Sequence, residues 1–138
     1  MFSTIHWIRV LVAGGLSEVG VVLALLLGIA IHKKVLAPGR ADTSPHTLGE
    51  RVGYYVAPPA GFVTTGLMAL WAVRGLETGI MANALAVGIV SVAITIPFFL
   101  GARPEHRLMY GIAFALRLVA AGLAGLYVAG HLSAPAGV

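Results

Sequence analysis

The sequence contains no cysteine and very little charge. Without cysteine, the chain can form no disulfide, no thiolate metal site and no thiol nucleophile. Only 10% of the 138 residues are charged, 59% are hydrophobic, and the mean hydropathy is +0.95. A soluble domain usually has about 25% charged and about 45–50% apolar residues. The composition therefore excludes an ordinary soluble domain and predicts an integral membrane protein of one domain, residues 1–138.

Common signatures of catalysis are also missing. The chain has no phosphate-binding glycine loop, no H-E-x-x-H motif and no G-x-S-x-G motif. None of the histidines forms a ligand pair four residues apart on a helix: they are His6, His32, His46, His106 and His131. We therefore predict that the protein is not an enzyme and has no metal or cofactor of its own. Ligation of a haem or pigment by a terminal histidine in a larger assembly stays open.

Four apolar segments are each long enough to cross a bilayer, which takes about 20 residues. They cover approximately 8–31, 53–73, 79–101 and 108–130. The predicted fold is therefore an all-α, integral membrane four-helix bundle. The one long connection, 33–52, contains the turn-type pairs Pro38-Gly39 and Ser44-Pro45. We predict a solvated loop there, with a short interfacial helix near Thr47–Arg51 as the alternative.

The basic residues fall mostly on one side of this predicted bundle: Lys33, Lys34, Arg40 and Arg51 in the first connection, and Arg103 and Arg107 in the third. The other side has Arg9 and Arg74. Because lysine and arginine favour the cytoplasmic side, we predict cytoplasmic first and third connections and non-cytoplasmic termini, in a bacterial inner membrane. Topology explains the net charge of +4, so nucleic acid is not a predicted partner. The predicted partners are the lipid bilayer and either further copies of the chain or a larger membrane complex.

Small residues recur every four positions in three of the segments: Gly20, Ala24 and Gly28; Ala84 and Gly88; Ala121, Gly125 and Ala129. Membrane helices associate through such residues because their backbones can approach closely. We predict that the stripes pack inside the bundle, with an oligomer interface as the alternative.

A proline pair, Pro58-Pro59, falls in the first two turns of the second segment. Proline has no N–H to donate and is tolerated in a helix mainly near its start. We therefore expect either a helix that begins at Pro58 or a kink there. A kink can mark a hinge in a transporter, but a structural start or bend is the favoured interpretation.

Two ionisable residues lie deep in apolar segments, Glu18 in the first and Arg117 in the last. A charge at bilayer depth costs at least about 2.5–3.5 kcal/mol, so it usually has a partner or a task. Their depths are about 15 Å and about 20 Å from the same predicted side, within reach of an arginine side chain. We predict an ion pair that places helices one and four side by side, with Ser17 or water completing the contact. Glu18 as a proton or cation site, and Arg117 facing an anionic substrate or lipid headgroup, stay as alternatives.

Other polar residues in the segments are expected to matter less. Thr64, Thr65, Ser91 and Thr95 are of the types that bond back to their own helix. Asn83 lies near the outer end of the third segment, where we expect it to be hydrated.

Short motifs carry two resemblances. Gly15-Leu-Ser-Glu18, Pro58-Pro-Ala-Gly-Phe62 and Arg117 ahead of Gly122 and Gly125 resemble a loosely defined group of small bacterial four-helix membrane proteins. This resemblance implies the fold and a role for the charged pair, but no activity.

Ser17-Glu-Val-Gly20, Thr78-Gly-Ile80 and Phe99-Leu-Gly-Ala-Arg103 are similar to small multidrug resistance transporters. That likeness implies a Glu18 that exchanges protons for cationic drugs. The long first connection, the proline pair and Arg117 depart from that family, and a nearby arginine would keep Glu18 ionised. We therefore predict an oligomer-forming protein or an accessory subunit of a larger membrane complex, with a proton-coupled small-molecule transporter using Glu18 as the alternative.

Overall fold

The computed structural model describes residues 5–36, 38–39 and 45–133. These residues form four long α-helices: α1 Trp7–Ile31, α2 Pro45–Val73, α3 Ile80–Gly101 and α4 Pro104–Ser133. A π-helical turn, His32–Leu36, extends α1. Each of the four is long and apolar enough to cross a membrane. The all-α, integral membrane four-helix bundle predicted from the hydropathy pattern is thus what the chain forms.

Helix α2 begins well before the predicted second segment. Its first turns, from Pro45, occupy part of the stretch 33–52 that we expected to be a solvated loop. The reason is a buried pair, Leu48 and Val52, which lie one helical turn apart and are 3% and 8% exposed. Packing of these two side chains favours a helix here, although the turn-type residues in 33–52 had suggested a loop. Residues 37 and 40–44 of the expected loop lie outside the described residues.

Helix α2 also continues without interruption through Pro58 and Pro59. A helix start at Pro58, one of the two expected outcomes, is therefore replaced by a start at Pro45. The buried turn at Leu48 and Val52 holds the preceding part of the helix in place, which offsets the donors that the prolines lack. The kink at Pro58 and Pro59 stays a prediction.

The four helices form a bundle in which α1 and α4 each pack against both α2 and α3. Helices α2 and α3 also contact each other, whereas α1 and α4 do not pack along one another. Helices α1 and α4 therefore occupy opposite corners of the bundle. This corrects the expectation that they are neighbours, which assumed that a charged pair joins adjacent helices.

The stripes of small residues bring the helices together inside the bundle. A Cβ added at Gly88 of α3 would lie 2.9 Å from the Cβ of Ala121 on α4, and one at Gly125 would lie 3.0 Å from the Cβ of Ala84. On α1, a Cβ at Gly20 would lie 2.7 Å from a methyl carbon of Thr64 on α2. The backbones of α3 and α4, and those of α1 and α2, thus approach each other closely, in the way that membrane helices pack.

Candidate functional site

The structure brings Glu18 and Arg117 together across the centre of the bundle. Nη1 of Arg117 lies 2.8 Å from Oε1 of Glu18, and Nη2 donates to Oε2 at 3.2 Å. This two-pronged contact matches the planar fork of the guanidinium to both carboxylate oxygens. The Arg117 side chain is 3% exposed and that of Glu18 is 17% exposed. The pair therefore links the two helices at opposite corners of the bundle, α1 and α4.

Helix α3 binds both members of the pair. The Ser91 hydroxyl donates to Oε1 of Glu18, and Thr95 Oγ1 lies 3.3 Å from Oε2. Nη1 of Arg117 donates to Thr95 Oγ1 and to the Ser91 carbonyl at 3.3 Å. Thr95 Oγ1 also lies 2.8 Å from that carbonyl, so its single proton goes either there or to Glu18. The ion pair is thus embedded in a hydrogen-bond network.

The hydroxyl groups contribute more than their types predicted. Thr64 and Thr95 do bond back to their own helices, at Ala60 and Ser91. Ser91 and Thr95, however, also contact the charged pair directly. Their spacing of one helical turn, at the depth of Glu18 in an otherwise apolar segment, is the signal that could have identified them.

A second group of hydroxyls continues the network toward α2. Ser17 Oγ lies 2.8 Å from Thr65 Oγ1 and 3.3 Å from Thr64 Oγ1. Thr65 Oγ1 is in turn 3.4 Å from Ser91 Oγ, and Ser17, Thr65 and Ser91 are fully buried. Ser17, which we expected to complete the ion pair, instead joins it indirectly through Ser91 at 3.5 Å. All four helices therefore supply polar groups to one connected cluster.

The Arg117 side chain crosses the bundle beside Gly61 of α2. A Cβ at Gly61 would lie 2.8 Å from Nε and 3.4 Å from Nη2 of Arg117. Nε is buried and, among the described residues, has no hydrogen-bond partner. The missing side chain at Gly61 thus provides the space that the arginine needs. Gly61 was not among the predicted site residues, because one glycine among many in an apolar helix gives no separate signal.

Asn83 lies in a different polar contact near the start of α1. It is fully buried, its Oδ1 accepts from the His6 backbone N–H at 2.7 Å, and its Nδ2 donates to the Gly79 carbonyl at 2.8 Å. The expectation of a hydrated Asn83 is therefore wrong. Its Oδ1 instead satisfies the backbone N–H at the N-cap of α1, one of the donors that a helix leaves unpaired at its start. Its Nδ2 is a second donor to the Gly79 carbonyl, which also accepts from the Asn83 backbone N–H.

We predict that Thr95→Val destabilises the protein by about 1 kcal/mol, in the range measured for hydrogen bonds between membrane helices. Valine keeps the shape of threonine but removes the hydroxyl that contacts both Glu18 and Arg117. Unfolding by SDS, followed by far-UV circular dichroism, measures the change. Thr78→Val is the matched control because Thr78 is exposed between α2 and α3. An equal loss in both variants would contradict a role for the Thr95 hydroxyl in the network.

The chain matches no protein-family model, no curated protein and no solved structure. The resemblances drawn from short motifs therefore stay predictions. In the part of the chain that the structure describes, no group of three or more His, Asp or Glu side chains could hold a metal ion. Fold and site together define a class, a small multi-pass membrane protein whose helices meet at a central cluster of one ion pair and several hydroxyls.

Proposed function

We propose that the protein is a non-enzymatic membrane component that acts in an assembly, as an oligomer or as an accessory subunit of a larger membrane complex. The observation that supports this most is that the charged groups of the central cluster have their partners within the bundle. Glu18 and Arg117 bind each other and groups of α3, and the arginine is almost fully buried. Such a cluster suits a rigid scaffold, and a scaffold acts through its outer surface.

An apolar groove between α2 and α4 supports the same proposal. It has a volume of about 710 Å³, and small residues line it together with larger apolar ones: Phe62, Val63, Gly66, Leu67, Leu70, Ala120, Leu123, Ala124, Leu126 and Tyr127. Small residues between larger ones let a further helix approach closely within a membrane. The groove therefore fits an apolar helix, either of a second copy or of another membrane protein.

Native mass spectrometry from lipid nanodiscs tests the proposal, together with disulfide crosslinking. Because the chain has no cysteine, a single introduced cysteine reports on one position. We expect Leu67→Cys, in the groove, to form a crosslinked dimer if the partner is a second copy. Leu23→Cys on α1, which is similarly exposed, is the control and should crosslink much less.

A chain that travels with a different membrane protein, without self-crosslinking, would support the accessory-subunit form. A strictly monomeric mass, with no crosslink at Leu67→Cys in native membranes and no co-purifying chain, would contradict both forms of the proposal.

A second candidate function is proton-coupled transport of a small molecule with Glu18 as the coupling site. The observation that favours it is the unequal burial of the pair, since the Glu18 side chain is 17% exposed and that of Arg117 only 3%. The Glu18 side chain is thus the less buried member of the pair, and a coupling site requires that its carboxylate can be reached by protons. Uptake of a small cationic drug by proteoliposomes under an imposed proton gradient tests this function. Uptake by the unmodified protein and none by a folded Glu18→Gln protein would support transport. Equal uptake by these two proteins, or no uptake by the unmodified protein, would contradict it.

A further inference from the structure

A cavity opens at the end of the bundle where α3 ends and α4 begins. Its volume is about 620 Å³, within the range of about 300–1,000 Å³ typical of small-molecule sites. It is also lined by residues of α1 and of the first turns of α2. The cavity lies apart from the Glu18–Arg117 cluster and from the groove between α2 and α4, since they share no lining residue.

Part of the cavity lining is apolar: Leu25, Ala57, Met109 and Ala113. Along α4 the lining residues run from His106 to Ala113, about 10 Å at 1.5 Å per residue. A cavity of this length can hold an acyl or alkyl chain of several carbons, and the buried apolar area favours such a chain over water.

The rest of the lining is mostly polar and includes a cation. Arg103 and His106, where α4 begins, line the cavity and define its mouth, and Tyr54 and Tyr110 are aromatic members of the lining. Glu50 also lines the cavity, and it has an interaction partner of its own within the protein. The Arg103 side chain is exposed, so its guanidinium fork is accessible to a carboxylate or phosphate group.

The wider surface at this end of the bundle carries a net positive charge among the described residues. Among the described residues, its lysines and arginines outnumber its carboxylates: Lys33, Lys34, Arg51, Arg103 and Arg107 against Glu50 and Glu105. An excess of one charge around a cleft raises the local concentration of ligands of the opposite charge. The surroundings therefore favour an anion over a cation at the mouth.

From this combination we infer that the cavity binds an anionic amphiphile, with its carboxylate or phosphate at Arg103 and His106 and its apolar chain between Leu25, Ala57 and Met109. A membrane lipid and a soluble organic anion can both present this chemistry. The site does not depend on the proposed assembly, because its lining residues belong to a single copy of the chain.

The test uses octyl phosphate as the probe and a single cysteine in the cavity as the reporter, in a neutral maltoside detergent. Ala57→Cys places the thiol in the cavity wall, where Ala57 is half-buried. Ala115→Cys is the control, because Ala115 is exposed on α4 and does not line the cavity. We expect saturating octyl phosphate to slow the reaction of Ala57→Cys with N-ethylmaleimide by about tenfold or more and to leave Ala115→Cys unchanged. Octyltrimethylammonium, of opposite charge, should give no such protection.

Adding Arg103→Gln to the reporter protein should raise the octyl phosphate concentration needed for protection by about tenfold, as expected for loss of a charge-assisted hydrogen bond. Protection by octyl phosphate without any effect of phosphatidylglycerol would identify a soluble amphiphilic anion as the source, whereas protection by inorganic phosphate alone would contradict a role for the apolar chain. Protection without added probe in phosphatidylglycerol nanodiscs, but not in phosphatidylcholine nanodiscs, would identify a lipid headgroup.

Equal protection by the cationic probe, or protection that Arg103→Gln leaves unchanged, would overturn the assignment. If Ala57→Cys does not fold, calorimetric titration of octyl phosphate into the unmodified protein and into the Arg103→Gln protein replaces the thiol reaction. Absence of saturable binding there would equally overturn it. Saturable, Arg103-dependent binding to a protein that is strictly monomeric would keep this site while contradicting the assembly proposal.

Discussion

Arg117→Met is expected to destabilise the protein by about 3–5 kcal/mol, because it leaves the Glu18 carboxylate inside the bundle without its cation. Methionine fills most of the volume of the arginine stem, so packing changes little while the charge and the donors to Glu18, Ser91 and Thr95 are lost. The midpoint of SDS-induced unfolding, followed by circular dichroism, measures the effect. Arg107→Met is the matched control, since Arg107 lies on the same helix and is exposed.

The double variant Glu18→Gln with Arg117→Met separates pairing from packing. Removing both charges avoids the unpaired buried ion, and such replacements are often neutral or stabilising. We therefore expect the double variant to recover most of the stability that Arg117→Met alone loses. A double-mutant cycle gives the coupling energy of the two residues. If the loss of stability in the double variant equals the sum of the losses in the two single variants, an energetic link between Glu18 and Arg117 is contradicted.

The sequence was sufficient for the fold because a membrane leaves few alternatives. Each crossing segment must satisfy its own backbone hydrogen bonds in lipid, so a long apolar run becomes a helix. Three of the four apolar segments therefore fall within α1, α2 and α4, and the third starts at Gly79, one residue before α3. Glu18 and Arg117 could also be identified from the sequence, because charge is rare and costly at bilayer depth.

The arrangement of the helices was less accessible from the sequence. A charged pair suggests neighbouring helices, but the long arginine side chain reaches across the bundle, between Gly61 of α2 and Ser91 of α3. Gly61 does not stand out in the sequence, since glycine is common in membrane helices. Ser91 was expected only to bond back to its own helix, although its spacing from Thr95 was a usable signal. Helix in the first turns of α2 was predicted only as the alternative to a loop, near Thr47–Arg51, because only Leu48 and Val52 signal it within a stretch of polar and turn-type residues.

Gly61→Ala is expected to destabilise the protein by about 1–3 kcal/mol, the usual cost of extra volume in a packed interior. The new methyl group would lie 2.8 Å from Nε and 3.5 Å from Cγ of Arg117. The Arg117 side chain is held by its contacts with Glu18 and Ser91, so it cannot move away from the new methyl group without weakening the ion pair. The loss would therefore come from the central cluster, although alanine favours a helix more than glycine does. SDS unfolding of the purified protein measures the change.

Gly66→Ala, on the same helix, is the matched control for Gly61→Ala. Its methyl group would lie 3.6 Å from the Cβ of Ala120, an ordinary van der Waals contact. We expect no loss there and a gain of up to about 1 kcal/mol from helix propensity. The cause is tested by repeating Gly61→Ala in the Arg117→Met protein, where a flexible thioether replaces the guanidinium and the penalty should shrink. An unchanged penalty in that background would show that Gly61 acts through backbone packing and not through the space it leaves for Arg117.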